Sequence, residues 1–163
     1  MPAYSFQERF VPLVLNGTKR QTIRTRREKG YAKKGDTLYL YFGLRTKYCR
    51  KLREEVCTDA RSIAIDNSYG IVLFNRLLTR AEMQYAIENI VLTPDHLPQY
   101  NVLSSIERDI LAYNDGFRIE GSSPEQPLGC FHLMLTWWRR THELPFVGDI
   151  IFWEPTSTKH TII

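Results

Sequence analysis

The sequence predicts a single α+β domain, on three observations. Its 163 residues are 43% hydrophobic, 12% aromatic and 25% charged, a globular balance in a chain long enough to bury a core without disulfide or metal. Short strand-like runs alternate with three or four helical ones. No βαβ rhythm, internal repeat or linker divides them, so one domain over residues 1–155 is expected, followed by a frayed tail, 156–163.

The elements follow from local pattern. Phe6, Phe10, Leu13 and Val14 fall near helical spacing, and Gly17 stops a helix that Pro12 keeps short. Extended, Gln21–Arg27 places Thr22, Arg24 and Arg26 on one face. Gly35-Asp36 turns into a strand over Thr37–Phe42. Leu52–Ile65 reads as one bent strand or two short ones, and Ile71–Leu78 as the next after a turn at Asn67–Gly70. Thr79 caps a helix to Asn89, with Glu82 at capping-box spacing. Residues 93–102 are expected as loop. Ser104 or Ser105 caps a helix through Tyr113, with Ile106, Ile110 and Leu111 inward, ended by Asn114-Asp115-Gly116. After a polar loop, Leu128–Arg140 carries the clearest apolar stripe: Leu128, Phe131, Met134, Leu135 and Trp138. Trp137 and Trp138, being adjacent, cannot both face a core. A final strand, Asp149–Trp153, follows a turn at Gly148.

Charge is unevenly spread. Residues 1–58 hold 14 Lys and Arg against 5 Asp and Glu; residues 59–163 hold 8 against 13. The densest run, 19–34, contains Lys19, Arg20, Arg24, Arg26, Arg27, Lys29, Lys33 and Lys34 against Glu28. Interleaved Tyr31, Tyr39, Tyr41 and Tyr48 add rings on which bases stack, so the pattern points to nucleic acid or a nucleotide. A solvated charged surface with packing tyrosines is the plainer alternative.

Other classes lose support. No uncharged apolar run reaches the roughly 18–20 residues of a membrane span, and Glu8 and Arg9 stand where a signal peptide needs apolar residues. Cys49, Cys57 and Cys130 include no C-x-x-C pair, which fits reduced, buried thiols in a cytoplasmic protein. His96, His132, His142 and His160 lack metal-ligand spacing, and His132 reads as a core or boundary residue. Walker, dinucleotide and G-x-S-x-G motifs are absent from the sequence.

Three separated motifs then come in order. They are Phe6-Gln7-Glu8-Arg9-Phe10 with Leu15-Asn16-Gly17-Thr18-Lys19-Arg20-Gln21-Thr22-Ile23-Arg24 and Gly35-Asp36; Ile110–Phe117 with its Asp115-Gly116-Phe117; and Phe152-Trp153-Glu154-Pro155. Together they resemble the ASCH domain family of the PUA-like superfamily, with an inserted region between Gly43 and Ser104. The resemblance implies a mixed β-barrel with flanking helices and a cleft lined by the Lys, the Thr-Ile-Arg strand and the acid. Some members deacetylate N4-acetylcytidine with a Lys, a Thr and a Glu; others bind RNA or cleave it. By position Lys19, Thr22 and Asp115 match that catalytic set, Asp115 standing where the hydrolases have Glu. No cofactor is implied.

These residues make chemical sense beside the match. A Thr hydroxyl needs a base to become a nucleophile, and a neutral lysine is one. Asp115 can orient that lysine or pass a proton to the leaving amine, and Arg24 can hold a phosphate or an oxyanion. Arg20, Arg26, Arg27, Lys33, Lys34 and Tyr39 complete the expected ligand-binding set. Lys19 and Thr22 reach one side only if Lys19 lies in the turn after Gly17 and Thr22 on the strand, because residues three apart on a strand face opposite ways. Against these roles stand a surface lysine, a threonine chosen for β propensity, an Asx turn at Asp115 and a plain ion pair at Arg24.

Overall fold

In the computed structural model, residues 2–89 and 97–154 are described. In chain order the elements are β1 (Ala3–Phe6), a 3-10 turn (Glu8–Phe10), α1 (Val11–Leu15), β2 (Gln21–Arg24), β3 (Thr37–Phe42), β4 (Arg50–Asp66), β5 (Gly70–Phe74), α2 (Arg80–Glu88), β6 (Tyr100–Val102), α3 (Ser105–Asn114), α4 (Cys130–Thr141) and β7 (Phe146–Trp153). The fold is mixed α+β. Seven strands form one sheet in the order β1-β3-β4-β5-β6, with β7 bonded to β4 and β2. Among the described residues this sheet is not closed into a barrel: β1 and β6 are the end members of the strand order.

The chain divides into two compact units. One draws on residues 1–22, 26–60 and 151–163, the other on 23–25 and 61–150.

The first unit is built on β3. Leu38 and Leu40 are fully buried, while Thr37, Tyr39 and Tyr41 take the opposite, partly exposed face. β1 runs parallel to β3, pairing Ala3 with Tyr39 and Ser5 with Tyr41. β4 runs antiparallel, pairing Tyr39 with Glu54, and a register shift at Leu40/Tyr41 brings Lys51 opposite Tyr41. Behind this sheet Tyr4, Phe6, Phe10, Val14 and Trp153 form the core, with Phe6 and Trp153 edge to face at 6.3 Å. β1 was not expected; Phe6 ends it rather than opening a helix, and although its burial alternates, four residues are too short a run to stand out.

In the second unit the C-terminal half of β4 pairs with β5, and β5 with β6. Ala64, Val72, Phe74, Leu78, Met83, Ala86, Leu97 and Val147 pack into one core cluster. In the same unit the buried Ser62 donates to Asp149 (3.2 Å) and accepts the Leu78 amide (2.8 Å), so its hydroxyl is used as both donor and acceptor. The expected Thr79–Glu82 capping box forms, and of the two candidate caps for the next helix it is Ser104 that caps, closing a second box with Glu107. Gly129, at φ +86°, offers α4 no side-chain cap, and Asp109 on α3 accepts the Phe131 amide instead (2.9 Å).

Several expectations are corrected. Leu128 precedes α4 and is 70% exposed, because the chain enters the helix through Gly129. Ile106 and Ile110 are exposed: α3 turns Leu111, Ala112 and Arg108 inward, the Arg108 guanidinium lying 4.9 Å from the Phe131 ring. Gly148 lies inside β7, where a Cβ would stand 2.4 Å from the Arg24 carbonyl oxygen; close approach, not a turn, requires glycine there. Within the segment expected as loop, residues 100–102 form β6; residues 93–96, with His96, lie outside the described residues, as do His160 and the tail. Cys49 is exposed beside a charged turn, and His132 faces out from α4. Trp138 is buried and Trp137 only partly so.

Candidate functional site

The α1–β2 connection sets the position of Lys19. Pro12 sits in the first turn of α1, where its missing N–H costs nothing. Gly17, at φ +77°, ends the helix in a left-handed conformation that a side chain disfavours. The Thr18 and Lys19 amides then donate to the Leu13 carbonyl, at 3.1 and 2.9 Å, and β2 begins only at Gln21. Lys19 thus lies in the turn and Thr22 on the strand, the arrangement that lets both side chains be buried. Lys19 is 2% exposed and Thr22 4%. The Lys19 Nζ stands 5.0 Å from the Phe10 ring centre and 5.8 Å from that of Phe6.

A carboxylate that the sequence reading missed belongs to the same unit. Glu55 on β4 is 2% exposed and accepts from Arg53 Nε at 2.6 Å. Arg53 also donates from Nη1 to the Leu15 carbonyl (3.2 Å), which ties the pair to the last turn of α1, next to Gly17 and Lys19. Strand alternation was the available signal. Arg53, Glu55 and Cys57 share a parity on β4, and Cys57 is buried. The Cys57 thiol is pushed up to about 11 by burial, which leaves it a poor nucleophile.

Asp115 and Arg24 lie in the second unit. Asp115 is buried at the C-terminus of α3, its amide donating to the Leu111 carbonyl, and Gly116 follows at φ +103°. Arg24 is partly buried at the end of β2.

The remaining expected residues are in the first unit and mostly exposed. Arg20 is half-exposed, donates from Nε to the Gly17 carbonyl (3.0 Å) and meets Glu154 at 3.5 Å. The Arg26 guanidinium lies over the Tyr31 ring at 4.7 Å, with Lys33 Nζ at 5.1 Å from the same ring. Arg27 stacks on Tyr4 (4.7 Å) and donates to the Ala3 carbonyl at the edge of β1. Lys34 is exposed; Tyr39 is partly so, with Lys51 Nζ 5.5 Å from its ring. Pro2, Gly30, Tyr31, Lys33, Asp36 and Thr37 line a surface depression of about 390 Å³.

Among the described residues no cluster of His, Cys, Asp and Glu is placed to hold a metal ion, and no helix is long and apolar enough to cross a membrane. Compared with family models, characterised proteins and solved structures, the chain matches none.

Proposed function

We propose that this chain is an ASCH-type protein of the PUA-like class, that its basic unit holds RNA or a modified nucleoside, and that Lys19 and Thr22 hydrolyse an acylated cytidine-type amide. The burial of Lys19 carries the reading. A lysine serving only solubility extends into water; this one is 2% exposed against two phenyl rings, at the end of the turn that leads into the strand of a buried threonine. In this reading the Lys19 amine takes the Thr22 hydroxyl proton as the threonine oxygen adds to the acyl carbon. The carbon–nitrogen bond breaks and the exocyclic amine leaves with a proton. Water then hydrolyses the threonyl ester and releases the acid.

Two carboxylates compete for the acid role. Asp115 has it by its register with the family; Glu55 has it by sharing the unit of Lys19 and Thr22. Trapping decides between catalysis and binding: an acyl-Thr22 adduct seen by mass spectrometry with N4-acetylcytidine, lost in Thr22→Val and kept in Thr22→Ser, supports the mechanism. Turnover unchanged in Thr22→Val contradicts it. A second reading, binding without chemistry, is favoured by Arg26 and Lys33 on the Tyr31 ring, a cation-flanked aromatic of the kind on which bases stack.

A further inference from the structure

We infer that the outward face of β1, β3 and the first half of β4 is a track for single-stranded nucleic acid, with Tyr31, Tyr39 and Tyr41 as stacking stations. The inference rests on the nucleic-acid part of the proposed function and names the form in which the ligand is held. It concerns the face of the sheet opposite to Leu38, Leu40 and the Phe6 core, and does not involve Lys19.

Tyr39 and Tyr41 stand two positions apart on β3, the central strand of this unit, and so share its partly exposed face. That spacing is about 6.6 Å along the strand, room for one base on each ring in an extended chain. Their pairing partners supply the surroundings: small Ala3 and Ser5 on one side, Glu54 and Lys51 on the other. Beside these small neighbours both tyrosines stay partly exposed, and the cation on the Tyr39 ring, Lys51 Nζ at 5.5 Å, is on a half-exposed side chain that can give way to a base. Glu54 is the acid of this face, and Lys51 Nζ holds it at 2.7 Å.

The face is extended at both ends. Thr37, first residue of β3, also lines the depression containing Tyr31 and Lys33, where Arg26 covers the same ring. Asp36, the acid there, accepts the Lys33 amide at 2.9 Å. At the other end the Leu44 amide donates to Ser5 Oγ (3.1 Å), folding the β3–β4 loop back toward the β1 edge of the face. That loop carries Arg45, Lys47 and Tyr48; Tyr48 is 68% exposed, with Lys47 Nζ 5.1 Å from its ring. A strand of phosphates meets cations at both ends and rings between them. A duplex, with its bases already stacked on one another, has no use for the rings.

The test is fluorescence anisotropy at fixed salt with labelled oligouridine of about 12 nucleotides, within ordinary single-strand site sizes, and with the same oligomer annealed to oligoadenosine. The single strand is expected to bind more tightly than the duplex. Tyr39→Ala and Tyr41→Ala are each expected to weaken it roughly fivefold to 150-fold, whereas Tyr41→Phe, which keeps the ring, stays within about twofold. Arg80→Ala, at an exposed position of α2, removes one charge elsewhere and is expected to change nothing. Circular dichroism and melting confirm that each variant is folded. Equal affinity for duplex and single strand, both alanine variants within about twofold of wild type, or no binding by wild type overturns the inference. Hydrolysis of the free nucleoside without strand binding also overturns it and leaves the proposed chemistry standing. Strand binding of the expected pattern without hydrolysis supports it while the chemistry falls.

Discussion

Replacing Arg53 by alanine takes a charge partner away from the buried Glu55 carboxylate. The pair is close, 2.6 Å, with side-chain exposures of 14% for Arg53 and 1% for Glu55, and the same guanidinium satisfies the Leu15 carbonyl at 3.2 Å. Removing one partner of a buried pair costs about 3–5 kcal/mol, because the remaining charge stays in a medium that cannot solvate it. Arg53 reaches the surface, so water enters the gap and the low end applies, about 3 kcal/mol. In a chain of this length each kcal/mol moves Tm by about 2–4 °C, so the expected loss is about 6–12 °C. Urea denaturation followed by circular dichroism measures it, as a lower midpoint at unchanged slope. Adding Glu55→Gln to Arg53→Ala removes the buried charge that has lost this partner and is expected to restore at least about 1 kcal/mol. A loss under about 1 kcal/mol, or two substitutions whose costs simply add, refutes the argument that the Arg53 pairing contributes to making burial of Glu55 tolerable.

Three further predictions concern stability and reactivity. Arg76 and the Thr79 cap hold the Glu82 carboxyl down at about 2. A depressed carboxylate stabilises the fold above its ordinary value near 4.5 and loses that contribution as pH falls toward 2, so Glu82→Gln is expected to flatten this part of the acid melting profile. Because the Arg76 side chain is 51% exposed, the effect is about 1 kcal/mol. Gly148→Ala places a Cβ against the Arg24 carbonyl and the Phe146 ring and is expected to cost about 1–3 kcal/mol by thermal melting. Thiol titration of the native protein is expected to show fast reaction at Cys49, with Cys57 and Cys130 reacting only on denaturation; fast native labelling of Cys57 contradicts its burial.

How much was legible in the sequence depended on whether the information was local. Strand β3 covers the expected Thr37–Phe42 and the Thr79 capping box forms as spaced, because turn and cap are decided by near neighbours, while the choice of Ser104 over Ser105 as the next cap was left to the structure. The stop at Gly17 was equally readable, but the helix start was not: the expected helical spacing began at Phe6, which ends β1, and α1 begins only at Val11 after a 3-10 turn. Burial of Glu55 was missed, because its parity with Cys57 was the one signal and a carboxylate in an Arg-Glu-Glu run reads as surface until Arg53 is seen to pair with it. The same holds for α3. Ile106 and Ile110 define an apolar stripe, yet the helix buries Leu111, Ala112 and the stem of Arg108, a choice made by α4. Gly148 looked like a turn because nothing in its neighbourhood announces that the β2 backbone crosses within reach of a Cβ. Asp109 as the cap of a helix that begins some twenty residues later is likewise a tertiary fact.

The central claim is that Lys19 and Thr22 form a hydrolytic pair, and the most direct measurement incubates purified, chelator-treated protein with N4-acetylcytidine and follows cytidine by chromatography, with Lys19→Ala and Thr22→Ala in parallel. The account predicts turnover in the wild type, unaffected by the chelator, and none in either variant while both remain folded. Turnover that survives in both variants, or its absence from the wild-type protein, contradicts it.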